Sequence, residues 1–287
     1  MTEVTTTSDK ELLARKLIYA ADLLAGRTVV ISGAGSGIGR ATAFTAARLG
    51  AKVILCGRTL AKVEGAAHTL REAGFDAYAY ELNIRDYDGV HHFFDTVRQE
   101  HGVPDGLINS AGGQFPQDAI DFSKGGWNAV IDTNLNGTFY MMQAAAQMWR
   151  DAGRDPRNPA SITNIATVID RGMLGVAHTC AARAGVIYFS KTVAVEWAPL
   201  GIRVNCLAPG SLMTEGMAVY DDEVRASFAM SNPQKRFGNA TDIADAAVYM
   251  ASDAACFITG ETLTIDGGMK LWGELWTNGK PDYFKGT

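Results

Sequence analysis

Val29-Val30-Ile31-Ser32-Gly33-Ala34-Gly35-Ser36-Gly37-Ile38-Gly39 is the stretch that decides the fold. Four apolar or small residues run into a loop with glycine at every second position. Arg40 to Leu49 then reads as a helix. The order is strand, turn, helix, and the turn carries little side chain to hold a ligand off. Backbone N–H groups at such a helix start can cradle a phosphate, and the helix dipole adds to the attraction. The G-x-G-x-x-G spacing is not met, because Ile38 stands three residues after Gly35. What is met is G-x-x-x-G-x-G at Gly33, Gly37 and Gly39.

Outward from this loop the chain alternates strand and helix. Strand signals lie at Thr28–Ser32, Lys52–Cys56, Asp76–Glu81, Gly106–Asn109, Ala160–Ile165, Arg203–Ala208 and Thr262–Ile265. Helical stretches between them include Ala61–Ala73, Tyr87–His101, Gly126–Arg150, Ala181–Ala198 and Asp242–Ala251. This rhythm predicts an α/β, single-domain Rossmann fold, a doubly wound parallel sheet of about seven strands. Its ligand crevice would lie at the carboxyl ends of the strands. Residues 1–24 read as an extension with a short amphipathic helix over Asp9 to Leu24. Residues 25–270 read as the domain and 271–287 as a tail. Leu212 to Phe237 breaks the rhythm, with Met213, Met217, Tyr220, Phe228 and Met230 set between charged residues. It reads as an apolar lid over the crevice. Trp272, Trp276 and Tyr283 lead us to expect the tail to pack across a subunit boundary or over the cleft.

Composition narrows the partners. Of 287 residues, 47% are hydrophobic and 20% charged, which fits a globular chain with a sizeable core. A net charge of −5 provides no basic field for nucleic acid or an acidic membrane surface. No apolar run approaches a membrane span. Cys56, Cys180, Cys206 and Cys256 are far apart and read as reduced thiols of a cytoplasmic protein. The N-terminus lacks the charge-then-apolar order of a signal peptide, and Lys285-Gly286-Thr287 is not a peroxisomal address. No metal site is expected.

The second strand runs into Gly57-Arg58-Thr59. A ribose with a free 2′-hydroxyl is usually held by a carboxylate at this distance from the glycine loop. Here a guanidinium takes its place, which suits a 2′-phosphate. Ser36 and Thr59 add hydroxyls. The cofactor expected is therefore NADP(H).

Several motifs together now resemble the short-chain dehydrogenase/reductase family, from about residue 24 to 270. They are Gly33-x-x-x-Gly37-Ile38-Gly39, Asn109-Ser110-Ala111-Gly112, Asn134 in Thr-Asn-Leu-Asn-Gly-Thr, Asn164-Ile165-Ala166-Thr167, Gly201-Ile202-Arg203-Val204-Asn205, Pro209-Gly210 and Ile265-Asp266-Gly267-Gly268. The resemblance implies a nicotinamide cofactor and usually a homotetramer. It places Asn109, Ala111 and Gly112 along the adenosine, with Asn83 where the family often has Asp. It makes Asn134 the catalytic asparagine at a helix kink. It sets Pro209, Gly210 and Thr214 beside the nicotinamide.

The departures bear on the chemistry. Family members that act on alcohols and ketones use a Ser and then Tyr-x-x-x-Lys, whose lysine lowers the tyrosine pKa. Here the segment reads His178-Thr179-Cys180-Ala181-Ala182-Arg183-Ala184-Gly185. Arg183 takes the lysine position and Thr179 the tyrosine position. The serine position falls on Thr167, or on Ala166 without a gap. Tyr188 and Lys191 lie downstream at a different spacing and read as packing residues facing elsewhere. His178 could donate a proton or simply be a polar residue at a helix start. Arg183 keeps a charge able to bind ribose hydroxyls but cannot lose its proton. The run resembles most the peroxisomal-type trans-2-enoyl-CoA reductase, in the trans-2-enoyl-CoA and 2,4-dienoyl-CoA reductase branch that lacks the tyrosine here; the dienoyl-CoA reductases fit less well, because Ile169 stands where they place another tyrosine. That implies NADPH-dependent reduction of an activated C=C bond in a small lipophilic or acyl-CoA substrate. Arg171, Arg225, Lys235 and Arg236 are available for CoA phosphates. Two other readings stand beside it. One is a carbonyl reductase or alcohol dehydrogenase using Thr167 or His178. The other is a non-catalytic nucleotide-binding member.

Overall fold

The computed structural model describes residues 7–271. In chain order the elements are α1 (Asp9–Ala14), β1 (Thr28–Ser32), α2 (Gly37–Arg48), β2 (Lys52–Gly57), α3 (Leu60–Glu72), β3 (Ala77–Glu81), α4 (Tyr87–His101) and β4 (Gly106–Asn109). Then follow α5 (Lys124–Ile131), a π turn (Asp132–Asn136), α6 (Gly137–Asp151), β5 (Ala160–Ile165), α7 (Ala177–Trp197) and β6 (Ile202–Pro209). The chain closes with β7 (Leu212–Met213), α8 (Asp222–Ala229), β8 (Gly238–Asn239), α9 (Ala240–Ala251) and β9 (Thr262–Ile265). Seven strands form one parallel sheet in the order β3-β2-β1-β4-β5-β6-β9. The order reverses between β1 and β4, and there the crevice opens.

Strand side chains alternate between the two faces, and so do their neighbours. Val29 and Ile31 of β1, Val53 and Leu55 of β2 and Ile108 of β4 pack with Phe44, Leu70, Ile243 and Val248. Val30, Ile54, Cys56 and Leu107 face the other way, onto Phe93, Phe94, Met141, Met142 and Trp149. The buried Trp149 gives its indole N–H to the carbonyl of Pro104 at 2.6 Å. Among the described residues no helix is long and apolar enough to cross a membrane.

Four expectations are corrected. The N-terminal helix covers Asp9–Ala14 rather than Asp9 to Leu24. Its start is set by a Ser8–Glu11 capping box. Beyond it, Arg48 donates to the carbonyls of Leu12 and Arg15, both at 2.8 Å, and Arg15 pairs with Asp245, so the helix stops there and the chain goes on through bends and turns. The single helix expected over Gly126–Arg150 is two helices joined by the π turn. The helix expected from Ala181 begins at Ala177, which brings His178 and Thr179 into its first turn. Tyr188 does face away from the site, but it is 75% exposed rather than packed within the chain. The expectation for the tail beyond Leu271 falls outside the described residues.

Candidate active site

The glycine loop is tight for a steric reason. Gly33 has φ +68°, and a Cβ there would lie 2.7 Å from the backbone nitrogen of Ala111. A Cβ on Gly39 would run into the carbonyl of Gly33. Only glycine lets α2 start this close to the end of β1. Ser32 fastens the loop to the segment after β4, its hydroxyl accepting from Ser110 and Ala111 N–H at 3.2 Å each. Between them lies a cleft of about 310 Å³. Gly33, Ser36, Gly37 and Ile38 form its base, Ala111 and Gly112 one wall, and Thr214 and Glu215 the rim. Arg58, Thr59 and Lys62 close the end beyond β2. Bare backbone at a helix start, with two cations at the far end, fits a phosphate-bearing dinucleotide. The Gly37 N–H points into this seat and meets a carboxylate, Glu215 Oε2, at 3.0 Å.

Beside the cleft a second cluster is built around Asn134. The π turn carries it inward, where it is fully buried. Its Oδ1 accepts from the N–H of Gly113 (3.0 Å) and from Arg183 Nη2 (3.2 Å). Its Nδ2 donates to the carbonyl of Gly113 (2.8 Å) and to Thr179 Oγ1 (3.1 Å). All four hydrogen-bonding positions of the amide are thus used. Because Thr179 Oγ1 accepts from Asn134, its own proton is left to donate elsewhere. Arg183 lies one turn further along α7 and gives Nη1 to the carbonyl of Ile165 at 2.8 Å. Each Nη keeps a second N–H. Among the described residues no carboxylate pairs with Arg183. Burial pulls its pKa down to about 10, so it stays a cation near neutrality. A Cβ on Gly112 would collide with its guanidinium, which is why the chain crosses there as glycine.

His178 is not placed as a proton donor to the cleft. It is fully buried, stacked on Phe122 (4.5 Å, 16°) and met edge-on by Phe115 (4.7 Å). Its Nδ1 accepts from the Thr179 N–H at 2.8 Å, and the backbone carbonyls of Val176 and Phe115 lie within hydrogen-bonding reach of the ring. Burial holds its pKa below the ordinary value. Neutral and enclosed, His178 shapes the start of α7 instead of exchanging protons with substrate.

The other expected residues divide. Ser36, Gly37, Ile38, Arg58, Ala111, Gly112 and Thr214 line the cleft. Asn109 does not: it is buried behind the wall, donating to Asn164 at 2.9 Å, and Asn164 in turn donates to Ser190. Asn83 is exposed between the cleft residues Leu82 and Ile84, its Oδ1 accepting from the N–H of Arg85. Pro209 closes β6, and the Gly210 N–H bonds Ile265 at 3.0 Å. Thr167 is half-buried two residues beyond β5. Arg183 is occupied by Ile165 and Asn134 rather than standing free in the cleft. Lys62 was missed, although its place four residues after Arg58 at the start of α3 was a usable signal. Glu215, Gln114 and Tyr220 were not singled out for the site, because only the return of residues 212–237 over the strand ends brings them there.

A parallel sheet of this order, with a dinucleotide-shaped cleft at its switch point and a hydroxyl–amide–guanidinium cluster beside it, defines an oxidoreductase of the Rossmann type. The chain belongs to the short-chain dehydrogenase/reductase family. A family model described as enoyl-(acyl carrier protein) reductase matches residues 33–270. The 3-oxoacyl-[acyl-carrier-protein] reductase FabG of Salmonella typhimurium is 36% identical over 249 residues, covering 86% of this chain and 98% of that one. A Bacillus subtilis (strain 168) protein, named as a probable 2,4-dienoyl-CoA reductase, is 34% identical over 250 residues, with 85% and 97% covered. A crystal structure from Beutenbergia cavernae, assigned as an NAD(P)-dependent gluconate 5-dehydrogenase with NADP bound at low occupancy, superposes with a TM-score of 0.81. It is 33% identical and covers 88% of this chain and 100% of its own.

Proposed function

We propose that this protein is an NADPH-dependent reductase of an activated C=C bond in an enone or enoyl thioester. The observation that carries this reading is the buried Arg183 cation, without a carboxylate partner among the described residues and tied through Asn134 to the Thr179 hydroxyl. The site therefore offers charge and a hydrogen-bond donor where the family's alcohol dehydrogenases offer a phenol and a lysine. Hydride addition to the β carbon of an enone pushes negative charge onto its carbonyl oxygen. That oxygen needs donors and a nearby cation more than an acid at the carbon receiving hydride. A carbonyl substrate needs its proton on the oxygen next to that carbon, which is the task of the missing dyad.

NADPH, when bound, supplies the hydride. Gly33, Ser36, Gly37, Ile38 and Gly39 would hold its pyrophosphate, and Arg58 with Ser36, Thr59 and Lys62 its 2′-phosphate. Asn83, Ala111 and Gly112 would border the adenosine, and Pro209, Gly210 and Thr214 the nicotinamide. The NADP-bound relative supports this choice of cofactor. Residues 212–237 act as the lid, bonded to the glycine loop through Glu215. CoA phosphates find less support. Arg225 is engaged by Tyr220 and Asp222, Arg236 by Phe237 and Asp242, and Arg171 by Met269. We therefore favour recognition of the unsaturated acyl or enone group itself. The four free thiols suit a reducing, cytoplasmic setting. A homotetramer completes the proposal, since it would cover the exposed Tyr188, Val195 and Phe257.

The similarity to FabG favours a second reading, reduction of a ketone. NADPH oxidation with an enoyl thioester, a free enone and a saturated ketone separates the two. Turnover of the unsaturated substrates is expected. Turnover of the ketone alone would overturn the proposal, and tight NADPH binding without any turnover would make the chain a nucleotide-binding member.

A further inference from the structure

The lid brings a phenol back to the site that lacks one. Tyr220 Oη accepts from Gln114 Nε2 at 2.9 Å. Gln114 directly follows Gly113, whose N–H and carbonyl are both bonded to Asn134. The Tyr220 hydroxyl thus meets the residue next to Gly113, which clasps the Asn134 that holds the Thr179 hydroxyl. Its ring is fixed at 5.0 Å, edge to face, by Phe228 of α8, and its carbonyl accepts from Arg225. The other described tyrosines with hydroxyl bonds turn to Asp245, Asp76, Glu100, His101 and Gln143, away from this cluster.

Resting on the reductase reading above, we propose that Tyr220 is the second hydroxyl donor to the substrate carbonyl oxygen, alongside Thr179. Since Gln114 donates to Tyr220 Oη, the phenol proton is free for another acceptor. Burial raises the phenol pKa, which keeps that proton in place at neutral pH. As hydride forms a bond to the β carbon, the C=C pair shifts toward the carbonyl and its oxygen takes the Tyr220 proton. The enol so formed rearranges in water to the saturated carbonyl, and water returns a proton to the phenolate. A ketone substrate would use the same donor on its alkoxide.

Tyr220→Phe keeps the ring on Phe228 and removes only the hydroxyl. We expect kcat on the best wild-type substrate to fall by about a hundredfold or more, the range of general-acid effects. Affinity for NADPH, read by fluorescence titration, should not change. A saturated amide analogue, which has the carbonyl and nothing to reduce, tests the contact without turnover. Calorimetry should find it bound about three- to tenfold more weakly by the variant, the loss of one hydrogen bond. Gln114→Leu, which leaves the phenol but frees it, should fall between the two. Unchanged kcat together with unchanged amide affinity in Tyr220→Phe would overturn the proposal. If the wild type reduces ketones and not alkenes, the C=C reading fails while Tyr220 is still judged on the ketone. If nothing turns over, the amide affinity alone decides it.

Discussion

Arg58 and Lys62 are cations at one end of the cleft, and the nearby hydroxyls of Ser36 and Thr59 leave a 2′-phosphate well matched. Charge-assisted hydrogen bonds of this kind contribute about 1.5–3 kcal/mol each. Arg58→Asp should therefore move the NADPH/NADH preference toward NADH by about tenfold or more. Initial rates and Kd for both nucleotides would measure this, and an unchanged preference would refute the role of Arg58. His178 leads to a different kind of prediction. Its folded pKa lies below the unfolded value, which is near 6.5. As the pH falls through about 6.5, the unfolded chain takes up a proton that the folded chain does not. Stability is thus lost toward acid through this residue. The unfolding free energy of His178→Phe should depend less on pH between 7 and 5 than that of the wild type. Urea unfolding at both pH values tests it, and an equal dependence would show that His178 does not titrate in this way.

At the scale of elements, three helix boundaries make the site. The π turn at Asp132–Asn136 turns Asn134 inward to four hydrogen bonds with three residues, and such turns recur where helices serve function. The early start of α7 at Ala177 places Thr179 within reach of Asn134. The start of α2 leaves the Gly37 N–H unsatisfied by its own helix, and the lid supplies Glu215 Oε2 to it. That carboxylate holds the position that a cofactor phosphate would take. A charge at a helix start is stabilised by about 0.3–1 kcal/mol. Glu215→Gln should accordingly tighten NADPH binding about two- to fivefold, without changing kcat by a similar factor. Fluorescence titration of the nucleotide measures this. Weaker binding in the variant would mean that Glu215 helps hold the nucleotide rather than competing with it.

Across the whole molecule, what was legible depended on the reach of each interaction. Strands such as β1, β4, β5 and β9 match the ends read from sequence, since their apolar runs and flanking turns are local. The parallel, doubly wound sheet of seven strands followed from the alternation of strand and helix. The glycine loop with Arg58 pointed to the cleft, and both line it. The shortened α1 was hidden because it depends on Arg48 and Asp245, distant in sequence. Asn109 read as a cleft residue from its motif, yet its amide goes to Asn164 on the neighbouring strand. Tyr220 was visible only as part of an apolar lid, because its meeting with Gln114 spans the molecule. The central claim is that this architecture directs hydride to carbon of a polarised double bond, with Thr179, Arg183 and Tyr220 attending the oxygen. An α,β-unsaturated ketone offers both bonds in one molecule. The decisive measurement is the product that the wild-type protein forms from it with NADPH, identified by NMR or mass spectrometry. The account predicts the saturated ketone. The allylic alcohol would contradict it.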